Sequence, residues 1–183
     1  MNTPPPKEIF FTFVGPIDAH AAGRIISHCN LAHNKGVETV HLLVQSSGGS
    51  IDDGIAVYNY LANLPLKVVT YNEGSVQSIA VLVYLAGKHR LCAANASFFL
   101  HKTTMPSVGD LPEEVLRARA DAAKVYDQRT EAILRPRVTM PEEKWALRDK
   151  LGLTINAQEA KQYGFAHEIG HFSIAKGCEV FGI

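Results

Sequence analysis

The chain has 183 residues, 46% hydrophobic and 20% charged, which fits one globular domain with a continuous core. Its eighteen basic side chains balance eighteen acidic ones, so no long-range field gathers nucleic acid or an anionic membrane, and neither is expected as a partner. The odd set Cys29, Cys92 and Cys178 lacks CxxC spacing and reads as reduced, buried thiols of a cytoplasmic protein.

Residues 1–8 form a proline-rich segment without the basic and apolar regions of a signal peptide. One domain is expected over 9–183. Residues 9–14 are rich in β-formers and stop at Gly15-Pro16, which predicts a first strand. Ala22, Ile25, Ile26, Cys29 and Ala32 recur at helical spacing over 18–34, ahead of Gly36. A second strand at 40–44 ends at Ser46-Ser47-Gly48-Gly49. A helix follows from about 50 to 64, with Ser50 as its cap and Asp52 and Asp53 complementing its positive end.

The apolar strand 66–71 leads through a turn at 72–77 into the apolar run 78–86, which reads as a helix and is too short to span a bilayer. Two short strands are expected near 90–93 and 97–101. A long charged helix over 112–134 carries Val115, Leu116, Ala118, Ala122, Val125, Tyr126 and Ile133 as its apolar side, and ends at Arg135-Pro136. Helices near 141–151 and 156–163 and strands at 165–169 and 178–183 complete the chain. Strands and helices alternating at short spacing predict an α/β domain.

Three of these segments carry chemistry. Gly48-Gly49 lies between a strand and a helix, where backbone N–H groups can face an oxyanion or phosphate at the positive helix end. A turn requiring positive φ explains the pair equally well. Ser78 opens a helix after a strand and turn, and taken alone it is also a favoured helix cap. His101 ends a strand, where a lone histidine can simply be a hydrogen-bonded core residue. All three lie at the carboxyl ends of successive expected strands, the edge at which α/β sheets collect ligands. A serine needs a base to become a nucleophile, and neutral imidazole supplies one near pH 7.

His167-Glu168-Ile169-Gly170-His171 matches HExxH, which binds zinc when a helix places both imidazoles on one face. Here the segment follows Tyr163-Gly164 and reads as extended, so its two imidazoles lie about 13 Å apart and no metal site is expected. His28, Cys29 and His33 fall on an amphipathic helix and read as two solvated histidines and a core thiol. Arg117, Arg119, Lys124 and Arg129 alternate with acids as a solvated helix face.

Taken in order, four segments resemble the Clp protease proteolytic subunit family, within the ClpP/crotonase-like fold. Ser46-Ser47-Gly48-Gly49-Ser50-Ile51 is similar to the family's Ser-Pro-Gly-Gly segment, and Gly74-Ser75-Val76-Gln77-Ser78-Ile79-Ala80 to its nucleophile turn. Asn95 to His101 resembles the segment bearing the base, and Asn156 to Ala166 the Ala-x-Glu-Ala-x-x-Tyr-Gly stretch. The resemblance implies a superhelical domain of repeated β-β-α units. It also implies a serine endopeptidase without cofactor or metal, with Ser78 as nucleophile, His101 as base, and the Gly49 and Ile79 N–H groups as oxyanion hole.

The same resemblance implies a peptide or unfolded-protein substrate and a homo-oligomeric heptameric ring, single or doubled, with helix 112–134 between rings. An AAA+ unfoldase or a paralogous subunit is the implied partner. The short segment before the first strand argues against the unfoldase. Three positions depart from the family. The orienting aspartate aligns with Gly152, and Asp149 takes its place if the loop carries a local insertion. Ser47 stands where proline is common, and the N-terminal segment is brief. Without a carboxylate, imidazole orientation worth up to about 10⁴ in kcat is lost. This makes a catalytically weak ring subunit or scaffold the first alternative. A crotonase-like acyl-CoA enzyme sharing the fold is the second.

Overall fold

The computed structural model describes residues 7–106 and 109–183, so most of the proline-rich segment lies outside it. Three parallel strands form the centre: β1 (Glu8–Val14), β2 (Thr39–Gln45) and β3 (Lys67–Asn72). β5 (His89–Cys92) and β8 (Glu168–Ile169) extend this sheet on one side, and β9 (Val180–Gly182) closes the other, in the order β8-β5-β3-β2-β1-β9. Every pairing is parallel. Phe11, Phe13, Val40, Leu42, Val44 and Val68 are buried in it, as strands covered by helices require.

A second sheet of three strands stands beside the first. β4 (Ser75–Gln77) pairs in parallel with β6 (Ser97–Leu100), which pairs antiparallel with β7 (Leu153–Asn156). The sequence reading missed β4 and β7. Both are short and carry polar residues at alternate or terminal positions, so they add no periodicity above that of a turn.

The helices are α1 (Ala19–Asn34), α2 (Ile51–Asn63), α3 (Ala80–Leu85), α4 (Glu113–Leu134), α5 (Glu142–Leu151) and α6 (Ala157–Gln162). The chain thus repeats a strand of the large sheet, a strand of the small sheet and a helix, as in β3-β4-α3 and β5-β6-α4. Two earlier turns of the same path are reduced to bridges, Ile17 with Gly49 and Ser46 with Val76. Local chemistry sets the helix starts: Asp18 accepts from Ala21 N–H at 2.7 Å, and Asn156 and Glu159 form a reciprocal capping box.

Asn72, fully buried, locks the two sheets together. Its side chain donates to the Ser97 carbonyl at 2.9 Å and accepts from Gly74 N–H at 3.0 Å, which holds the turn before β4 against β6. Cys29 and Cys92 are buried, and burial pushes their thiols up to about 12 and about 11. Cys178 is half-exposed rather than buried, because it sits in the turn before the edge strand β9. Contrary to the periodicity, α4 fully buries only Leu134; Ile133 packs partly against the core, while Val115, Leu116 and Val125 face outward. Among the described residues no helix is long and apolar enough to cross a membrane.

Arg90 on β5 is buried and satisfies three backbone carbonyls. It donates to Phe165 O at 2.7 Å, Gly87 O at 3.0 Å and Gly164 O at 3.0 Å, tying the C-terminal third to the sheet. Arg90→Met keeps the apolar stem and leaves those acceptors without a donor. It is expected to lower unfolding stability by roughly 2–4 kcal/mol, read as a reduced urea midpoint at unchanged slope.

Candidate active site

The strand pairing that builds the small sheet also brings the three chemistry-bearing segments side by side. Ser46 bonds to both ends of β4, through Ser46 N–H to Ser75 O at 3.2 Å and Gln77 N–H to Ser46 O at 2.9 Å. β4 in turn pairs with β6, with Gln77 opposite Phe99. The residues that follow, Gly48, Ser78 and His101, therefore emerge in a row at one edge.

Ser78 is the only non-glycine with positive φ (54°) among the described residues. That backbone conformation costs an ordinary residue about 1–3 kcal/mol and persists only where surroundings over-determine it. Here they do. Ser78 N–H donates to Phe99 O at 2.7 Å, and Ser78 O accepts from Val81 N–H at 3.1 Å at the entry to α3. The helix-cap alternative fails, since no side-chain bond caps α3. The hydroxyl is thus left for other work.

Gly48 is needed beside it, because a Cβ there would stand 2.6 Å from Ser78 Cβ. Gly49 has φ 150°, and a Cβ on it would meet Ile17 O at 2.1 Å. Gly48 O accepts from Ile17 N–H at 2.8 Å. A trans peptide points its N–H opposite to its carbonyl, so the Gly49 N–H is aimed away from Ile17. Among the described residues neither the Gly49 nor the Ile79 N–H has a hydrogen-bond partner. Two free backbone donors beside a serine hydroxyl are what an oxyanion requires.

Gly49, Ser78, Ile79 and His101 line one cavity of ≈ 100 Å³, walled by apolar side chains that include Ile51, Leu82, Leu100 and Leu134. Four of the five residues singled out from sequence are thus brought together. Ser78 and His101 share the wall without a direct hydrogen bond; such bonds often tighten only around bound substrate. His101 Nδ1 lies 2.5 Å from the carbonyl of Lys102. A carbonyl can only accept, so Nδ1 carries a proton, and in the neutral imidazole the lone pair is then on Nε2.

Asp149 is the exception, since it does not line this cavity. The carboxylate lies 3.0 Å from Arg148 Nη1 and 3.4 Å from Lys102 Nζ, and it lines a second depression that His101, Phe99 and Gly152 share. Its bonded partners are these two cations, and no hydrogen bond joins it to His101 among the described residues. Nor can a side chain at 152 simply fill the gap. A Cβ on Gly152 would stand 2.6 Å from Phe99 Cζ, and the Phe99 ring is stacked on His101 with centroids 5.5 Å apart. Sequence reasoning also missed Arg148, a buried cation that lines the cavity and is paired with Glu131 at 2.6 Å.

The HExxH match is extended, as expected, with Glu168 and Ile169 in β8. His167 Nδ1 accepts from Arg90 N–H at 3.1 Å, while His171 Nδ1 lies 3.1 Å from Glu73. The two imidazoles serve different partners.

A family model described as Clp protease matches residues 7–172. The ATP-dependent Clp protease proteolytic subunit 3 of Rhizobium etli is 27% identical over 157 residues, 85% of this chain and 80% of that protein. Subunit 2 of Pseudomonas aeruginosa is 24% identical over 166 residues, 89% of this chain and 80% of its own. The corresponding subunit of Oltmannsiellopsis viridis is 30% identical over 138 residues, 71% and 67% of the two chains. In fold the chain is similar to a ClpP1 mutant of Listeria monocytogenes, with a TM-score of 0.75, 18% identity, and 90% and 91% of the chains covered. The mostly parallel large sheet flanked by helices accords with the likeness in fold, and the chain belongs to the Clp protease family.

Proposed function

We infer that this protein is a serine peptidase that cleaves peptide bonds at the cavity formed by Gly49, Ser78, Ile79 and His101. The observation that carries the reading is the backbone of Ser78. Its positive φ holds the hydroxyl out of the helix cap and beside two free N–H donors and an imidazole in the basic tautomer. Ser78 Oγ attacks the peptide carbonyl carbon as its proton passes to His101 Nε2, and the carbonyl oxygen, now negative, is held by Gly49 and Ile79 N–H. The imidazolium returns the proton to the leaving amine as the C–N bond breaks. Water then attacks the acyl-serine with the same base, releasing the acid and restoring Ser78.

A fluorophosphonate probe is expected to label the assembled protein at Ser78 and to leave Ser78→Ala unlabelled. No labelling of the intact assembly would sink the reading. Gly54 touches the oxyanion geometry from behind, since a Cβ on it would stand 2.3 Å from Ile79 Cγ1. Gly54→Ala should displace Ile79 and lower kcat at least about 10-fold, a fraction of the 10²–10³ lost when an oxyanion donor is removed. The ratio of kcat values for a short peptide checks this.

We propose that one domain spanning 9–183 assembles into a ring of identical subunits in the cytoplasm, with peptides or unfolded chains as substrate. The outward face of α4 supports assembly: Val115, Leu116 and Val125 are 37%, 52% and 53% exposed in the isolated chain. Val125→Glu and Leu116→Glu should shift the protein to smaller species in sedimentation velocity without lowering the stability of the subunit. A second reading is favoured by one observation, the absence of a carboxylate bonded to His101 among the described residues. On that reading the protein is a weak ring subunit that assembles but hydrolyses only with an active paralogue. Robust turnover by the purified protein alone would dispose of it.

A further inference from the structure

A carboxylate is bonded toward His101 one peptide away. Asp127, half-buried on α4, accepts a hydrogen bond from Thr103 N–H at 2.8 Å. The peptide group that owns this N–H also owns the Lys102 carbonyl, which meets His101 Nδ1 at 2.5 Å. One planar unit is therefore held by an anion at its donor end and by the imidazole at its acceptor end. We propose that Asp127 is the positioning carboxylate of this site, acting on His101 through the Lys102–Thr103 peptide. The proposal rests on the reading of Ser78 and His101 as nucleophile and base.

Two physical effects follow from this connection. The first is orientation. Residues 101–106 have no regular secondary structure of their own, so the direction of the Lys102 carbonyl depends on what fixes its peptide plane. Asp127 does so from a helix, where Thr130 Oγ1 also bonds to Asp127 O at 3.0 Å. With the carbonyl aimed at Nδ1, the neutral imidazole has one acceptable tautomer, the one with its proton on Nδ1 and its lone pair on Nε2.

The second effect is polarisation. An anion bound to the N–H shifts electron density onto the carbonyl oxygen of the same peptide, and hydrogen bonds in such a chain strengthen one another. The carbonyl is then a better partner for the imidazolium that forms when Ser78 loses its proton. Its influence is weaker than that of a carboxylate in direct contact, because the charge is farther away.

The alternatives are occupied or closed. Asp149 is engaged by Lys102 and Arg148, and the space beside Gly152 is filled by the Phe99 ring that stacks on His101. Among the described residues Asp127 makes no ion pair, so its charge is not spent on a neighbouring cation.

The test compares Asp127→Asn, which keeps the shape but loses the charge, with Asp127→Ala, Asp127→Glu and Asp149→Asn, each first shown to assemble like wild type. kcat and KM are measured on a short peptide, and the His101 Nδ1–H signal is followed by nitrogen-15 NMR. Asp127→Asn is expected to lower kcat about 10-fold and Asp127→Ala about 100-fold, the range for residues that orient a functional imidazole from behind. KM should hardly move, Asp127→Glu should recover part of the loss, and the Nδ1–H resonance should report a weakened hydrogen bond in the asparagine and alanine variants. An unchanged resonance with unchanged kcat overturns the proposal, as does an equal or larger loss in Asp149→Asn. If the wild-type protein neither hydrolyses peptide nor takes the probe, the peptidase reading fails by itself. The resonance then decides the relay alone, supporting it if Asp127→Asn shifts the signal and overturning it otherwise.

Discussion

The parallel seating of β4 between Ser46 and β6 is the constraint on which the site depends. Neighbouring strands in a sheet lie about 4.8 Å apart, so residues leaving adjacent strand ends are held as neighbours by backbone bonds alone. Ser46 to Ser75, Gln77 to Ser46 and Ser78 to Phe99 are such bonds, and none needs a side chain. The spacing is so tight that a side chain at 48 would collide with Ser78, and one at 49 with Ile17. Glycine at both positions is thus the condition for closing the row of loops, and the two free N–H donors are a consequence of the same geometry. Asn72 fixes the row to the large sheet, which makes a fully buried polar residue more important here than its lack of catalytic chemistry suggests.

The energetic logic differs between the two catalytic candidates. Ser78 is held against its backbone preference, at a cost of about 1–3 kcal/mol, and the strain is offset by two backbone bonds and by burial of α3 behind it. His101 is under no such strain. Its orientation depends on one acceptor in an irregular segment and on a stacked phenylalanine, both softer restraints. A short carbonyl contact can select the tautomer as well as a carboxylate can, but a neutral acceptor stabilises the imidazolium less. Nucleophile geometry is therefore rigid in this protein, whereas base strength depends on how the 101–106 segment is held.

The large sheet, most helices and the grouping of Gly48-Gly49, Ser78 and His101 were legible in sequence because each has a local signature, whereas Ile79 entered only through the family resemblance. Buried parallel strands are runs of Val, Leu and Phe, and glycine pairs or a serine after a strand mark loops at one edge. β4 and β7 were not legible, being short strands defined by partners distant in sequence. The apolar side of α4 was visible as a pattern, but the pattern carries no information on whether it packs against the same chain. Asp149 illustrates a different failure. Its position in the chain near Gly152 favoured it, yet its bonded partners are Arg148 beside it on α5 and Lys102, and the pairing with Lys102, between helix and loop, is not encoded in local spacing.

The place usually taken by a catalytic aspartate explains why the orienting group would have to come from elsewhere. At Gly152 the backbone has φ 83°, a conformation an aspartate adopts only with strain, and Phe99 stands where its Cβ would be. The two residues are complementary: the ring needs the missing side chain, and the glycine leaves room for the ring to cover one face of His101. Restoring aspartate alone at 152 would therefore introduce overlap before it introduced a hydrogen bond. The other route by which a carboxylate can act on the imidazole is along the backbone that follows it. Asp127 lies on that path, on a helix whose charged residues read in sequence as a solvated face. Periodicity assigns a charge to the surface, whereas the hydrogen bond to Thr103 N–H is a tertiary contact between residues 24 apart.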